Sequence, residues 1–179
     1  VKQQNYCDGI FGQCACCEYF CACLQEKLMA KEIERKFLVL DDSYKTAAIA
    51  KTHIRQGYLC TRPEGTVRVR LAGNEAFMTI KGINQGCTRD EWEYSIPEAD
   101  AADILERCCT GCIDKTRWIV PAGDGLNWEI DEFHGRHSSL VIAELELPHP
   151  DCTFELPGFV GKEVTGDPQY YNSVLSQQG

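Results

Sequence analysis

Charged and apolar residues alternate with a period of two in several short segments of this chain. Because successive side chains of a β-strand point to opposite faces, Glu32, Glu34 and Lys36 project from one face while Ile33 and Phe37 project from the other. The polar face of an ordinary water-facing strand carries uncharged polar residues as well as charged ones. In these segments the polar face carries almost only charged residues. The pattern therefore predicts a sheet whose charged face surrounds a ligand.

The signs of these charges separate from one segment to the next. Two later segments are basic and two are acidic, with the charged residues again two positions apart: Arg68 and Arg70, Lys115 and Arg117, Glu129 and Asp131, Glu144 and Glu146. Like charges on one face repel each other unless an opposite charge lies against them. A barrel lined in this way would hold a polyanion on its basic side and divalent cations on its carboxylate side.

The alternating segments define the predicted secondary structure. We expect strands over residues 31–40, 53–61, 66–72, 76–82, 89–96, 112–121, 126–133 and 140–147. Helices are expected over residues 43–50, 98–108 and 168–176. The fold class is α+β dominated by β, an eight-stranded antiparallel closed barrel with a charged interior and flanking helices. The apolar alternates should lie outside, under the helices: Ile33, Phe37, Val67, Val69, Ile80, Trp92, Ile130 and Leu145.

Length and charge exclude several classes of protein. A chain of 179 residues without a Ser/Pro/Gly-rich linker is long enough for one domain. No segment approaches the run of about 18 apolar residues that a membrane span requires. The net charge of -9 argues against binding nucleic acid, which needs a basic surface. We therefore expect a soluble protein with no nucleic-acid or membrane partner.

Nine short motifs follow one another in a fixed order along the chain. They are EIERKFLV, RQGYL, TVRVRL, MTIKG, RDEWEYSIP, DKTRW, WEIDEFHG, AELEL and GKEVTGDPQYYN. In this order they resemble the CYTH domain of the triphosphate tunnel metalloenzymes, from Met29 to about Leu175. The resemblance implies a barrel that encloses a triphosphate and divalent metal ions, in a cytoplasmic protein that forms a homodimer.

The resemblance also implies a role for individual residues. Carboxylates are expected to hold Mg²⁺ or Mn²⁺, namely Glu32, Glu34, Glu144 and Glu146, with Glu129 and Asp131 helping through water or by holding the basic groups. Basic groups are expected to hold the phosphates, namely Lys36, Arg55, Arg68, Arg70, Lys81, Arg117 and Lys162. Arg89, Glu91 and Glu93 are expected in the tunnel wall or behind the residues that bind metal and phosphate, rather than among those residues.

In relatives that hydrolyse inorganic tripolyphosphate, a lysine and a tyrosine act together on the attacking water. The matching residues here are Lys115 in DKTRW and Tyr58 in RQGYL. Desolvation and the nearby charge of Arg117 would lower the pKa of Lys115, which suits a general base.

The predicted activity is hydrolysis of inorganic tripolyphosphate to diphosphate and phosphate. Hydrolysis of thiamine triphosphate or nucleoside triphosphates, cyclisation of ATP to cyclic AMP as in a class IV-type adenylate cyclase, and a non-catalytic polyphosphate-binding module remain alternatives. A cyclase or a selective thiamine enzyme would need a recognition surface at the tunnel mouth. The presence of both Tyr58 and Lys115 argues against a binding module.

Six of the twelve cysteines lie before Met29. They could bind zinc or a cluster, but two matched CxxC pairs are missing. They could form disulfides, although a phosphate-binding tunnel suits the cytosol better. Because Met29-Ala30-Lys31-Glu32 resembles a natural start for this family, we favour a third interpretation. Residues 1–28 are then an extension that is not native or is disordered, and residues 29–179 form the domain.

Overall fold

The structure is a computed structural model and describes residues 30–178. The cysteine-rich segment 1–28 and the boundary at Met29 lie outside these residues. The nine strands are β1 (Ala30–Val39), β2 (Ala50–Arg62), β3 (Gly65–Ala72), β4 (Glu75–Lys81), β5 (Thr88–Ser95), β6 (Cys112–Gly123), β7 (Leu126–Phe133), β8 (Val141–Glu146) and β9 (Val160–Glu163). The helices are α1 (Tyr44–Ala47), α2 (Glu98–Arg107) and α3 (Asn172–Leu175), with 3₁₀ turns at Gly135–His137 and Pro168–Tyr170.

The first eight strands close into an antiparallel barrel. The sheet runs in the order β5-β4-β3-β2-β6-β7-β8-β1, and β1 returns to pair with β5, where Glu32 lies opposite Arg89. The second half of that edge of β1 pairs with β9, where Phe37 lies opposite Glu163. The predicted eight-stranded barrel is therefore confirmed, and β9 is an addition that the sequence did not indicate.

The larger apolar core lies outside the barrel, as the alternation predicts. Ile33, Phe37, Ile130 and Leu145 are buried there, around Trp128. Much of their cover comes from the irregular segment before β9, which contributes Phe154 and Phe159, and from Tyr44 of α1. The expectation that helices alone cover this face is therefore wrong.

Helix α2 covers a second part of the outer face. Its Ala101 and Leu105 pack against Val69 of β3 and Ala76 of β4. Ile80 lies outside this cluster and remains 39% exposed. The predicted outward direction of Ile80 holds, but its predicted burial does not.

Part of the barrel interior is apolar, which the sequence did not predict. Ile113, Phe133 and Ile142 share the inward face of their strands with charged residues, and Leu175 of α3 packs against them. The charged lining therefore does not extend over the whole interior.

Two predicted helices are shorter than expected. The segment 43–50 is helical only in α1, because β2 already begins at Ala50, which pairs with Ile119 of β6. The segment 168–176 is divided into a 3₁₀ turn and α3, and the Asp167 side chain accepts a hydrogen bond from the Gln169 backbone N–H at 3.1 Å. Among residues 30–178, no helix combines the length and apolar character needed to cross a membrane.

Candidate active site

A cavity of about 860 Å³ occupies the charged part of the barrel. Its mouth is formed by the β2–β3 turn, the loop between β4 and β5, and residues 165–174 near the C-terminus. A second cavity of about 470 Å³ lies toward the β3–β4 turn, and Arg70, Arg117 and Glu129 line both. Charged side chains thus separate the two cavities.

Carboxylates dominate the side of the cavity formed by β1 and β8, which we call the acidic wall: Glu32, Glu34, Glu144 and Glu146. The strand register places Glu34 directly opposite Glu146 and Lys36 opposite Glu144. The Lys36 ammonium lies within this wall, 2.7 Å from Glu34 and in contact with Glu144. One ammonium group therefore forms ion pairs with two carboxylates.

The acidic wall carries negative charge that its partners do not fully offset. Burial and the charge of Glu144 raise the pKa of Glu34, and burial and the charge of Glu32 raise that of Glu146. For Glu144 itself, burial would raise the pKa, but Lys36 and Arg117 outweigh it and lower the pKa well below its usual range. A cation near Glu34 and Glu146 would relieve the repulsion between them.

The opposite side, which we call the basic wall, is formed by Arg68 and Arg70 of β3. Both guanidinium groups contact a single carboxylate, Glu93, at 3.4 Å and 3.0 Å. The Thr79 hydroxyl donates to the same carboxylate at 2.8 Å and accepts from Arg68 at 3.0 Å. Burial and the charge of Arg68 lower the pKa of Arg70. Two arginines sharing one carboxylate leave an excess of positive charge.

Ion pairs also join β4 and β5 to β1. Lys81 lies 2.9 Å from both Glu32 and Glu91, and Arg89 contacts Glu32. Burial would raise the pKa of Glu32, but Lys81 and Arg89 outweigh it and lower that pKa strongly. Burial and the hydrogen bond with Glu32 raise the pKa of Glu91 to about 7. Arg89, Glu91 and Glu93 all line the cavity.

Arg117 links the charged interior to a deeper ion pair. Its guanidinium contacts Glu129 and lies 2.8 Å from Glu144 and 2.7 Å from Asp131. Asp131 is 0% exposed and lies 2.5 Å from the Lys115 ammonium, which is 1% exposed. Burial lowers the pKa of Lys115 to about 8, although Asp131 opposes this shift.

Most of the predicted site residues line the larger cavity. These are Glu32, Glu34, Lys36, Tyr58, Arg68, Arg70, Lys81, Arg117, Glu129, Glu144 and Glu146. Lys115 and Asp131 are absent from the lining of both described cavities and lie behind it. Asp131 binds Lys115 and Arg117, so of its two predicted roles the structure favours holding the basic groups over binding metal.

Two predicted anion-binding residues lie outside the barrel, and these predictions are corrected. The side chains of Gln56 and Tyr58 face inward, so Arg55 faces outward and is exposed. Gly57 confirms this phase on the outer face: a Cβ atom there would lie only 2.8 Å from Cys109 Sγ. Lys162 is exposed on β9, which pairs with β1 but lies outside the closed barrel.

Two buried polar residues of the interior were missed by the sequence reasoning. Thr79 and Gln56 are both 0% exposed, and each hydrogen bonds to a residue that lines the cavity, Glu93 or Tyr58. Only their position along the strand could have identified them from the sequence. Gln56 is two residues before Tyr58 and Thr79 two before Lys81, so each shares the inward face of its strand.

Known proteins resemble this chain in sequence and in fold. Residues 30–170 of the chain match the sequence family of the CYTH domain. The chain belongs to the CYTH family. An inorganic triphosphatase from Acetivibrio thermocellus is 45% identical to this CYTH protein over 148 residues, which cover 82% of this chain and 94% of the relative. An inorganic triphosphatase from Nitrosomonas europaea is 36% identical over 149 residues, covering 81% and 96%.

A solved structure agrees with these sequence relatives. The crystal structure of an inorganic triphosphatase superposes on this CYTH protein with a TM-score of 0.59 and 33% sequence identity. The match covers 83% of this chain and 95% of the other.

The acidic wall of this CYTH barrel has the donor chemistry that a hard divalent cation prefers. Its four residues provide only carboxylate oxygens, and the raised pKa values of Glu34 and Glu146 mark where negative charge is crowded. Within residues 30–178, no three acidic, histidine or cysteine side chains already converge as a metal site. Lys36, Lys81 and Arg89 hold several of these carboxylates instead. The donor set therefore fits a metal ion that replaces part of these ion pairs.

Proposed function

We propose that this CYTH protein hydrolyses inorganic tripolyphosphate to diphosphate and phosphate with the help of a divalent metal ion. The observation that carries the proposal is a cavity between an acidic and a basic wall, in a chain 45% identical to an inorganic triphosphatase. A triphosphate and its metal ions carry opposite charges in the same arrangement. Matching them in a water-poor interior is how enzymes lower the barrier to phosphoryl transfer.

The two walls divide the binding between them. Arg68 and Arg70 bind phosphate oxygens through their guanidinium groups, while Lys36 and Lys81 act as point charges near the acidic wall. Glu32, Glu34, Glu144 and Glu146 would hold Mg²⁺ or Mn²⁺. When bound, this ion neutralises charge on the phosphate oxygens.

In the proposed hydrolysis, a water oxygen bonds to the terminal phosphorus while the bridging P–O bond breaks. The electron pair of that bond leaves on diphosphate, and the proton of the water passes through a hydrogen-bonded relay to the neutral amine of Lys115, which lies behind the cavity lining. Lys115 suits this role because its pKa of about 8 leaves part of it neutral near physiological pH. Burial raises the pKa of Tyr58, so its hydroxyl keeps its proton and donates a hydrogen bond toward the phosphate.

The substrate is tested by measuring phosphate release from tripolyphosphate, thiamine triphosphate and ATP side by side, with Mg²⁺ or Mn²⁺. We expect tripolyphosphate to be turned over fastest. Preference for thiamine triphosphate or ATP would replace the proposed substrate, and cyclic AMP formed from ATP would indicate a cyclase. Binding of tripolyphosphate without release from any of the three would indicate a binding module.

The role of Lys115 has a separate test. The Lys115→Ala variant should lose turnover while keeping most of its affinity for tripolyphosphate. In the wild-type chain, kcat should rise as the pH approaches 8 from below, because deprotonation creates the neutral amine, and then level off. Unchanged turnover in the variant would remove Lys115 from the mechanism.

We also propose that the domain spans residues 29–179, acts in the cytoplasm and forms a homodimer. The family match over residues 30–170 supports the extent of the domain. The dimer rests on the family resemblance, and light scattering during size-exclusion chromatography tests it. A mass equal to one chain would contradict it.

A further inference from the structure

Gln56 is a buried amide two residues before the proposed catalytic Tyr58. It lies on the inner face of β2 between Ile54 and Tyr58, and it is 0% exposed. Unlike Tyr58, it is not part of the lining of either cavity in the described chain. Gln56 therefore does not contact the substrate directly.

The two ends of the Gln56 amide have different surroundings. Nε2 donates a hydrogen bond to the Tyr58 hydroxyl oxygen at 3.3 Å. Oε1 is also buried, and no group in residues 30–178 donates to it. Buried polar atoms in native proteins are nearly always paired, so an unpaired carbonyl oxygen beside a proposed active site suggests a polar ligand such as water.

The strand register places Gln56 next to Tyr58 along β2 and diagonally across from Lys115 of β6, with Ile113 directly opposite. On β2, Ile54 lies opposite Lys115 of β6, and Tyr58 lies opposite Arg68 of β3. Inward-facing positions on β2 are two residues apart, so Gln56 occupies the one position between these two. It is therefore placed to contact Tyr58 on one side and a group near Lys115 on the other.

We propose that Gln56 is a positioning residue for the hydrolysis, an inference that rests on the proposed function. Its Nε2 keeps the Tyr58 oxygen as an acceptor, which directs the Tyr58 O–H toward the phosphate. Its Oε1 accepts a hydrogen bond from the water that Lys115 deprotonates. Gln56 contributes no proton and forms no bond in the reaction.

The main test is the Gln56→Leu variant, which removes both polar atoms and keeps a similar volume. Steady-state phosphate release from tripolyphosphate with Mg²⁺ should show kcat lowered by roughly 10- to 100-fold, the cost expected for a lost orienting contact. KM should stay within about threefold, because Gln56 does not touch the bound substrate. The melting temperature should not fall, since an unpaired buried carbonyl is removed. If the leucine variant fails to fold, Gln56→Met takes its place with the same expectation.

A double-mutant cycle distinguishes positioning from a general effect on the barrel. If Gln56 acts through the Tyr58 hydroxyl, Gln56→Leu should lower kcat much less in a Tyr58→Phe chain than in the wild type. The matched control is Ile54→Val, a buried change on the same face of β2, which should leave kcat within about twofold.

The outcomes separate this inference from the proposed function. Unchanged kcat in Gln56→Leu, or equal losses in the wild-type and Tyr58→Phe backgrounds, would overturn the role of Gln56 while leaving the triphosphatase activity intact. Absence of phosphate release by the wild-type chain would overturn both.

Discussion

The acidic wall and the basic wall are both formed by charged residues that alternate with other residues along a strand. Their charges are paired differently. On the acidic wall, Lys36 serves two carboxylates, Glu34 and Glu144. On the basic wall, one carboxylate, Glu93, serves two arginines, Arg68 and Arg70. Lys81 and Arg89 also pair with Glu32, but the raised pKa values of Glu34 and Glu146 show that negative charge is still crowded at these two positions. Crowded carboxylates on one side of the cavity and two arginines sharing one carboxylate on the other favour two ligands of opposite charge.

Substitution of Arg117, which lies where the two walls meet, should have the largest effect on stability and activity. Arg117 contacts Glu144 of the acidic wall and the buried Asp131. Because Arg117→Met leaves these buried carboxylates short of a cation, we expect the free energy of unfolding to fall by about 3–5 kcal/mol, together with loss of activity. Urea unfolding measures this. A fall below about 1 kcal/mol would show that the two walls do not depend on this junction.

Removing a cation from the basic wall should affect substrate more than folding. For Arg70→Met, we expect kcat/KM for tripolyphosphate to fall by about 100-fold, because a buried charge-assisted contact to phosphate is lost. The metal concentration for half-maximal activity should stay nearly constant. Arg107→Met, at an exposed arginine of α2, is the matched control and should leave kcat/KM unchanged. An equal loss in both variants would contradict a specific role for the basic wall.

Removing a charge from the acidic wall should affect the metal requirement more than the KM for tripolyphosphate. Glu34→Gln should raise the Mg²⁺ concentration needed for half-maximal activity by about tenfold, with a smaller change in the KM for tripolyphosphate. Its melting temperature without metal should not fall, since Glu34 and Glu144 repel each other there. Glu106→Gln on α2 is the control for loss of an exposed carboxylate. Unchanged metal dependence in Glu34→Gln would remove Glu34 from the proposed metal site.

An ion pair outside the barrel should give the smallest effect. Arg35 of β1 forms a two-pronged pair with Glu163 of β9, and both side chains are about one-third exposed. Solvent screens such pairs, so Arg35→Ala should change the free energy of unfolding by less than about 1 kcal/mol and leave kcat unchanged. Lower activity in this variant would mean that charge anywhere on β1 matters, rather than charge on its inner face.

The closed barrel and most of its lining were predictable because charge marked the inner face of each strand. In TVRVRL, for example, two arginines alternate with valines, so the phase of β3 is unambiguous. RQGYL has a single charge and no such repeat, and Arg55 was accordingly assigned to the wrong face. Lys162 was misplaced for a different reason, because the four-residue strand β9 carries too little pattern to be recognised.

Depth along the barrel could not be predicted from alternation. Ile113 and Lys115 share one face of β6, and Asp131 and Phe133 share one face of β7. The period of two places all four inside, but it does not show that Ile113 and Phe133 form an apolar cluster or that Lys115 and Asp131 lie behind the cavity lining. That information depends on the stagger between strands, which arises only when the barrel closes.

The most direct test of two walls with separate ligands is a crossed titration of phosphate release. Tripolyphosphate and Mg²⁺ are each varied against a fixed excess of the other, in the wild type, Arg70→Met and Glu34→Gln. Our model predicts metal-dependent release that a chelator abolishes, with the substrate curve displaced in Arg70→Met and the metal curve displaced in Glu34→Gln. Release that persists in chelator, or equal displacement of both curves in both variants, would contradict it.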